Sequence, residues 1–263
     1  MSQSTTQKVL VAVGGALIAA TWLYLVLVRP TDWESVGGST EALITLGGYV
    51  GGTLALLAGV LPTLPARTVA IIPVALILNI LIGQVVGSIG IPLYLDAVGT
   101  ILVAALAGPR AGLATGALSS VVWALFNPLA LPFAAGSALT GWLAGVAIHK
   151  GAFRNIFIAF ASGAVLGLIT GAIAAPVAAF VYGGTAGVGT GALVSLFREM
   201  GNSLLGSVTL QSFISDPLDK GLIMVIVFTV VAALPKKTRR ALAPHRGGTH
   251  GNEVVTSKVG HSH

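Results

Sequence analysis

Five long stretches without a single charged side chain divide this sequence, and they limit the fold more than any motif does. They run over residues 9–28, 42–66, 68–95, 111–148 and 155–197. About 20 mainly apolar residues in a helix cross the hydrocarbon core of a bilayer. The first two stretches therefore each hold one span, and the last three are too long for one. Charged residues make up only 8% of the chain, against about 25% in a soluble domain whose surface faces water. The sequence predicts an all-α, polytopic membrane bundle in contact with the lipid bilayer.

Breakers divide the longer stretches. Spans are expected at about 9–28, 42–61, 69–86, 93–107, 111–126, 132–148, 155–180 and 217–234, eight in all. Pro62 and Pro65 punctuate the exit of the second, and the turn Gly87-Ser-Ile-Gly-Ile-Pro92 separates the third from a short fourth. Gly108-Pro109-Arg110 stops the fourth, and Asn127-Pro128 with Pro132 separates the fifth from the sixth. Residues 192–200 read as a helix, and 203–213 as a piece too short to cross. The 35 glycines suit helices that approach closely where lipid supplies no hydrophobic force between them, and Gly141-Trp-Leu-Ala-Gly145 is one such small-residue pair.

Basic residues recur in alternate gaps. Arg67, Arg110, then His149, Lys150 and Arg154, and finally Lys236, Lys237, Arg239 and Arg240 share one side, whereas the other carries Arg29 and Arg198 but also Asp32, Glu34, Glu41, Glu199 and Asp216. The positive-inside rule then places both ends of the chain in the cytoplasm. The net charge of +6 thus reads as topology and not as nucleic-acid binding. Lys8 before the first apolar run resembles a signal peptide, but the length of the run and the later spans favour a retained helix. The tail 243–263 is polar, contains His245, His250, His261 and His263, and is expected to be a disordered cytoplasmic segment. With no cysteine, disulfide and thiolate chemistry are excluded.

Ionisable and amide groups inside apolar spans are expensive and mark candidate sites. Asp96, beside Tyr94 in the fourth span, is either a pocket group or a helix cap in water. In Ser215-Asp-Pro-Leu-Asp-Lys220, Pro217 suits the first turn of a helix with Asp216 as its cap. Asp216 can then pair with Lys220 four residues on, so the segment is either a capped helix start with a compensating ion pair or a site where Asp219 or Lys220 contacts a ligand. Asn79 and Gln84 interrupt the third span and bond either to other helices or to a solute. Trp123 offers a ring for stacking, or packs in the core, and Asn127 marks a helix end near it. Gly183, Gly184 and Thr185 open a permissive loop. That loop lacks the lysine and spacing of a nucleotide-binding P-loop, and no catalytic or metal-ligating constellation is present. The chain is therefore expected to be neither an enzyme nor cofactor-dependent.

Four segments together resemble a known family. They are Ile91-Pro-Leu-Tyr-Leu-Asp-Ala-Val-Gly99, Gly108-Pro-Arg-Ala-Gly112, Val181-Tyr-Gly-Gly-Thr-Ala-Gly-Val-Gly-Thr190 and Ile214-Ser-Asp-Pro-Leu-Asp-Lys220. The stretch they span is similar to the substrate-binding S components of energy-coupling factor (ECF) transporters, which import vitamins and related micronutrients. The resemblance implies a six-helix solute-binding core over 67–242 with an outward pocket, and a two-helix N-terminal addition over 1–66. It also implies partners: a transmembrane coupling subunit and two cytoplasmic ATPase subunits. The alternative is a membrane sensor or structural subunit without transport activity.

Overall fold

The computed structural model describes residues 4–29, 39–184 and 187–242, and among these residues every regular element is helical. In chain order they are α1 (Thr5–Val28), α2 (Thr40–Val60), α3 (Ala66–Ser88), α4 (Val98–Ala107), α5 (Pro109–Trp123), α6 (Ala134–His149), α7 (Ile156–Val181), α8 (Val188–Glu199), α9 (Leu204–Ala233) and α10 (Lys236–Leu242). A 3₁₀ segment, Pro128–Phe133, leads into α6. Local chemistry sets several of the starts. Ser4 and Gln7 form a capping box on α1, and Ser39, Asn155 and Ser203 accept a backbone N–H from the first turn of α2, α7 and α9. Each satisfies a donor that a helix start leaves without a partner.

Five segments are long and apolar enough to cross a membrane: Thr5–Val28, Thr40–Thr63, Ala66–Ser88, Pro128–His149 and Ile156–Val181. Their outward faces carry large apolar side chains, including Leu27 at 70% and Phe157 at 82% exposure. Water would penalise such a surface, whereas lipid does not. The chain is a multi-pass membrane protein.

The other three expected spans are built differently. The fourth, expected over 93–107, is helical only from Val98. Its ten residues rise about 15 Å, half of the hydrocarbon thickness, and the segment before it is a loop. Eight of the ten are buried, so protein and not lipid surrounds α4. The fifth ends at Trp123, three residues before its expected limit. The last was expected to begin at Pro217, but α9 begins at Leu204, capped by Ser203, and runs 30 residues straight through the proline. Segment 203–213 is thus the first part of α9, and Asp216 lies inside a helix and caps nothing. A proline inside a membrane helix is tolerated because neighbouring groups cover the freed carbonyl. That local compensation has no signature in the proline itself.

Neighbouring helices run antiparallel and touch through glycine. On α5 and α6, a Cβ at Gly112 would fall 2.4 Å from the Gly141 carbonyl oxygen, and one at Gly145 would fall 2.5 Å from Pro109 Cα. The expected Gly141/Gly145 pair is therefore a real helix contact. A second stripe, Gly163, Gly167 and Gly171 on α7, faces α9. There a Cβ would lie 2.3 Å from the Lys220 oxygen, 2.2 Å from the Asp216 oxygen and 2.6 Å from Asp216 Oδ2, respectively. Bare glycine backbone lets α9 lie against α7 and fixes the height of its ionisable residues. The α1–α2 hairpin shares a hydrophobic core with α3 to α7 through Leu25, Tyr49 and Leu56. It is tied to the remainder by Trp22 Nε1, which donates to the Ile173 carbonyl (3.0 Å), and by the Tyr49 hydroxyl, which donates to the Pro132 carbonyl (3.2 Å).

The antiparallel order gathers Lys8, Arg67, Arg110, Lys150, Arg154, Lys236 and Lys237 at one end of the bundle. The tail 243–263 lies outside the described residues.

Replacing Gly167 by leucine should force α7 and α9 apart. We expect a loss of about 1–3 kcal/mol or more, the range for overpacked interiors, seen as a lower unfolding midpoint of the purified protein. Gly15→Ala, where a Cβ meets nothing within 4 Å, should not lower that midpoint.

Candidate functional site

The loop between α3 and α4 turns back into the bundle at the end opposite the basic cluster. Gly90 takes φ +78°, and Leu95, a residue with a side chain, takes φ +50°. Backbone of this kind survives inside a membrane protein only where its polar groups find partners. Asp219 supplies them. Its Oδ1 accepts the N–H groups of Tyr94 (2.9 Å) and Leu95 (2.7 Å) from across the bundle. Its Oδ2 lies 2.5 Å from Lys220 Nζ. The carboxylate is fully buried.

Lys220 Nζ reaches Asp96 Oδ1 as well, at 3.3 Å, and lies 5.9 Å from the centre of the Tyr94 ring. The Tyr94 hydroxyl donates to Gln211 Oε1 at 3.5 Å. One α9 segment therefore anchors the loop by a carboxylate, an ammonium and an amide.

The start of α4 needs similar help, because its own cap residue, Ala97, has no side-chain acceptor. Asn79 of α3 replaces it. Asn79 Oδ1 accepts the N–H groups of Gly99 (2.7 Å) and Thr100 (3.4 Å), while Nδ2 donates to Thr100 Oγ1 (2.8 Å) and Ser119 Oγ (3.1 Å). All its hydrogen-bonding capacity is engaged, and it is fully buried.

Because α4 is short and its loop is folded inward, a void is left between α3, α5, α6, α7 and α9. The cavity measures about 420 Å³, within the range of about 300–1,000 Å³ found for small-molecule sites. Gln84, Ser88, Tyr94, Asp96 and Trp123 line one side, with Asn127, Leu129, Ala130 and Phe133 beside them. Ser119, Ser120, Ser137, Thr140 and Thr170 supply hydroxyls. Ser212, Asp216 and Lys220 face in from α9, and Gly187 and Val188 at the start of α8 also line it. The 3₁₀ wall is held from behind by the Tyr182 hydroxyl, which donates to the Leu129 carbonyl, by the Tyr182 ring stacked on Phe133, and by Tyr49 on Pro132.

Of the residues singled out in the sequence, Gln84, Tyr94, Asp96, Trp123, Asn127 and Lys220 converge on this cavity. Asn79 and Asp219 stand behind its wall and hold it in shape. Gly183 and Gly184 lie in the link after α7 and do not line it, and Thr185 lies outside the described residues. The sequence reading missed the ring of hydroxyls and the inward position of Asp216. The signal that would have placed Asp216 is the four-residue glycine repeat on α7, which demands a partner helix at that height.

Among the described residues no group of three His, Asp or Glu side chains is placed to share a metal ion. No protein-family model matches this sequence, and neither any curated protein nor any solved structure does.

Truncating Asp219 to alanine should cost about 3–5 kcal/mol, as when one partner of a buried ion pair is removed. It should also speed hydrogen exchange at the Tyr94 and Leu95 amides. Asp219→Asn, which keeps an acceptor for those amides, should protect them better than alanine does.

Proposed function

We propose that this chain is the solute-capturing membrane component of an ATP-driven importer of the ECF type, taking up a vitamin or related micronutrient. The observation that carries the reading is a cavity of about 420 Å³, mostly apolar in its walls but set with several polar side chains, inside a bundle whose outer surface is apolar. A structural helix bundle has no need of such a space, and a void lined by hydroxyls, carboxylates and an ammonium is suited to a polar guest. Three of the four segments that resemble S components agree with it: the first contributes Tyr94 and Asp96, the third reaches the start of α8, and the last contributes Asp216 and Lys220.

In this reading the chain crosses the membrane eight times. The basic end of the bundle faces the cytoplasm of a prokaryotic cell, as the positive-inside rule requires, and the cavity opens toward the outside. The chain carries no P-loop sequence, so ATP is hydrolysed by partner subunits, and a transmembrane coupling subunit links them to the solute-binding core.

The test begins with gentle purification and identification of co-purifying small molecules by mass spectrometry. A bound solute is expected, together with an uptake defect for it in a deletion strain. Absence of any bound solute, with unimpaired uptake across a broad micronutrient panel, would sink the proposal in favour of a sensor or structural subunit. Asp96→Asn should weaken solute binding by about tenfold or more, the effect of losing a charged hydrogen bond, while the yield of folded protein stays the same.

A further inference from the structure

The charges around the cavity do not cancel. Asp96, Asp216 and Asp219 bring three carboxylates to a site with one ammonium, Lys220. Asp219 is fully engaged by two backbone N–H groups and by Lys220. Lys220 is engaged in turn by Asp219 and Asp96. That leaves Asp216, which lies on the cavity wall at only 6% exposure. Among the described residues no Lys, Arg or His nitrogen comes within 4.0 Å of its carboxylate, since the ion pairs found are those of Lys220 with Asp96 and Asp219. Lys220 eases its charge from a longer distance and Ser212 shares a hydrogen bond with it, but no cation among the described residues touches it, and the wall that holds it borders an open space large enough for a guest.

A second feature points the same way. Gly83 on α3 is the place where the Trp123 ring and the Asp96 side chain come together. A Cβ there would lie 2.7 Å from Trp123 Cη2 and 2.9 Å from Asp96 Cβ, so only glycine lets both approach. An indole ring beside a carboxylate is a cation-binding pair, because the ring's π-system attracts positive charge and its face can stack on a flat, delocalised cation as it does on a guanidinium. A metal ion is a poorer fit, since among the described residues no three His, Asp or Glu side chains are placed to share one.

We infer that the cavity takes a flat organic cation, an amidinium or a protonated or alkylated heteroaromatic ring, with its charge at Asp216 and its ring against Trp123. The inference rests on the capture reading above and names the class of its guest. An anionic guest would meet Asp96 and Asp216 with Lys220, the one cation lining the cavity among the described residues, already occupied.

Three probes of nearly equal shape separate the possibilities: benzamidinium, benzamide and benzoate, which are cationic, neutral and anionic. Each is added to the full-length protein in lipid nanodiscs, and the thermal unfolding midpoint is followed, since a ligand of the folded state raises it. Benzamidinium should raise the midpoint, and the other two should leave it near the probe-free value. Asp216→Asn should weaken the benzamidinium effect by about ten- to hundredfold in apparent affinity, and Asp96→Asn should weaken it too. Because the charge series is read on the unaltered protein, it stands even where a variant folds poorly. The inference is overturned by benzoate matching benzamidinium, by equal response to all three probes, or by response to none. Divalent cobalt that excludes benzamidinium overturns it too, as does a co-purifying solute that is neutral or anionic. That last result leaves the capture reading standing, whereas a missing solute with normal uptake removes the capture reading itself.

Discussion

Non-helical backbone at membrane depth has to be answered hydrogen bond by hydrogen bond, and in this protein a single carboxylate answers much of the demand. Asp219 reaches across from α9 to the adjacent amides of Tyr94 and Leu95, holding a loop in which Leu95 adopts a left-handed conformation. Asn79 does the equivalent for the first turn of α4. With these two clamps in place, a helix of ten residues begins halfway through the bundle. The volume that a full-length helix would have filled is left as a cavity. The space is thus a consequence of chain geometry held open by polar side chains, and it is not a defect in apolar packing.

Close backbone approach decides which residues look into that space. The glycine repeat on α7 admits α9 to near-contact at Asp216 and Lys220, and the α5–α6 glycine contacts position Ser119, Ser120 and Ser137 on the opposite side. Two of these hydroxyls, Ser120 and Ser137, already bond to each other at 2.8 Å. Small residues therefore act at two levels. They set the distance between helices, and through it they set the depth at which each polar group sits.

How much of this was legible in the sequence depended on whether a residue's role was local. Helices α1, α2, α3 and α7 follow closely from uncharged runs, because length and hydropathy are properties of a short segment. Pro217 misled for the same reason. A proline after an aspartate is a good helix start by local rules, and only the neighbouring α7 shows that the helix passes through it. The polar residues Asn79 and Asp219 were recognisable as unusual, but whether each turns toward a guest or toward backbone amides is settled by long-range partners. Serine and threonine were the least legible. Many simply bond back to a carbonyl one turn earlier, as Thr140 does to Gly136 and Thr170 to Leu166, so their presence in a membrane helix carries little information about a site.

The N-terminal hairpin bears on the cavity without touching it. Tyr49 sends its hydroxyl to the carbonyl of Pro132, in the 3₁₀ wall, while Trp22 fastens α1 to α7, and Arg29 lies 4.1 Å over the Phe180 ring. A 3₁₀ turn that contains two prolines, Pro128 and Pro132, has few internal hydrogen bonds with which to keep its shape, so its rigidity is borrowed from the helices behind it. The hairpin therefore works as a buttress. Whatever bends or displaces α2 in the bilayer, whether lipid thickness or a neighbouring subunit, is transmitted through one phenol to the surface on which a guest would rest.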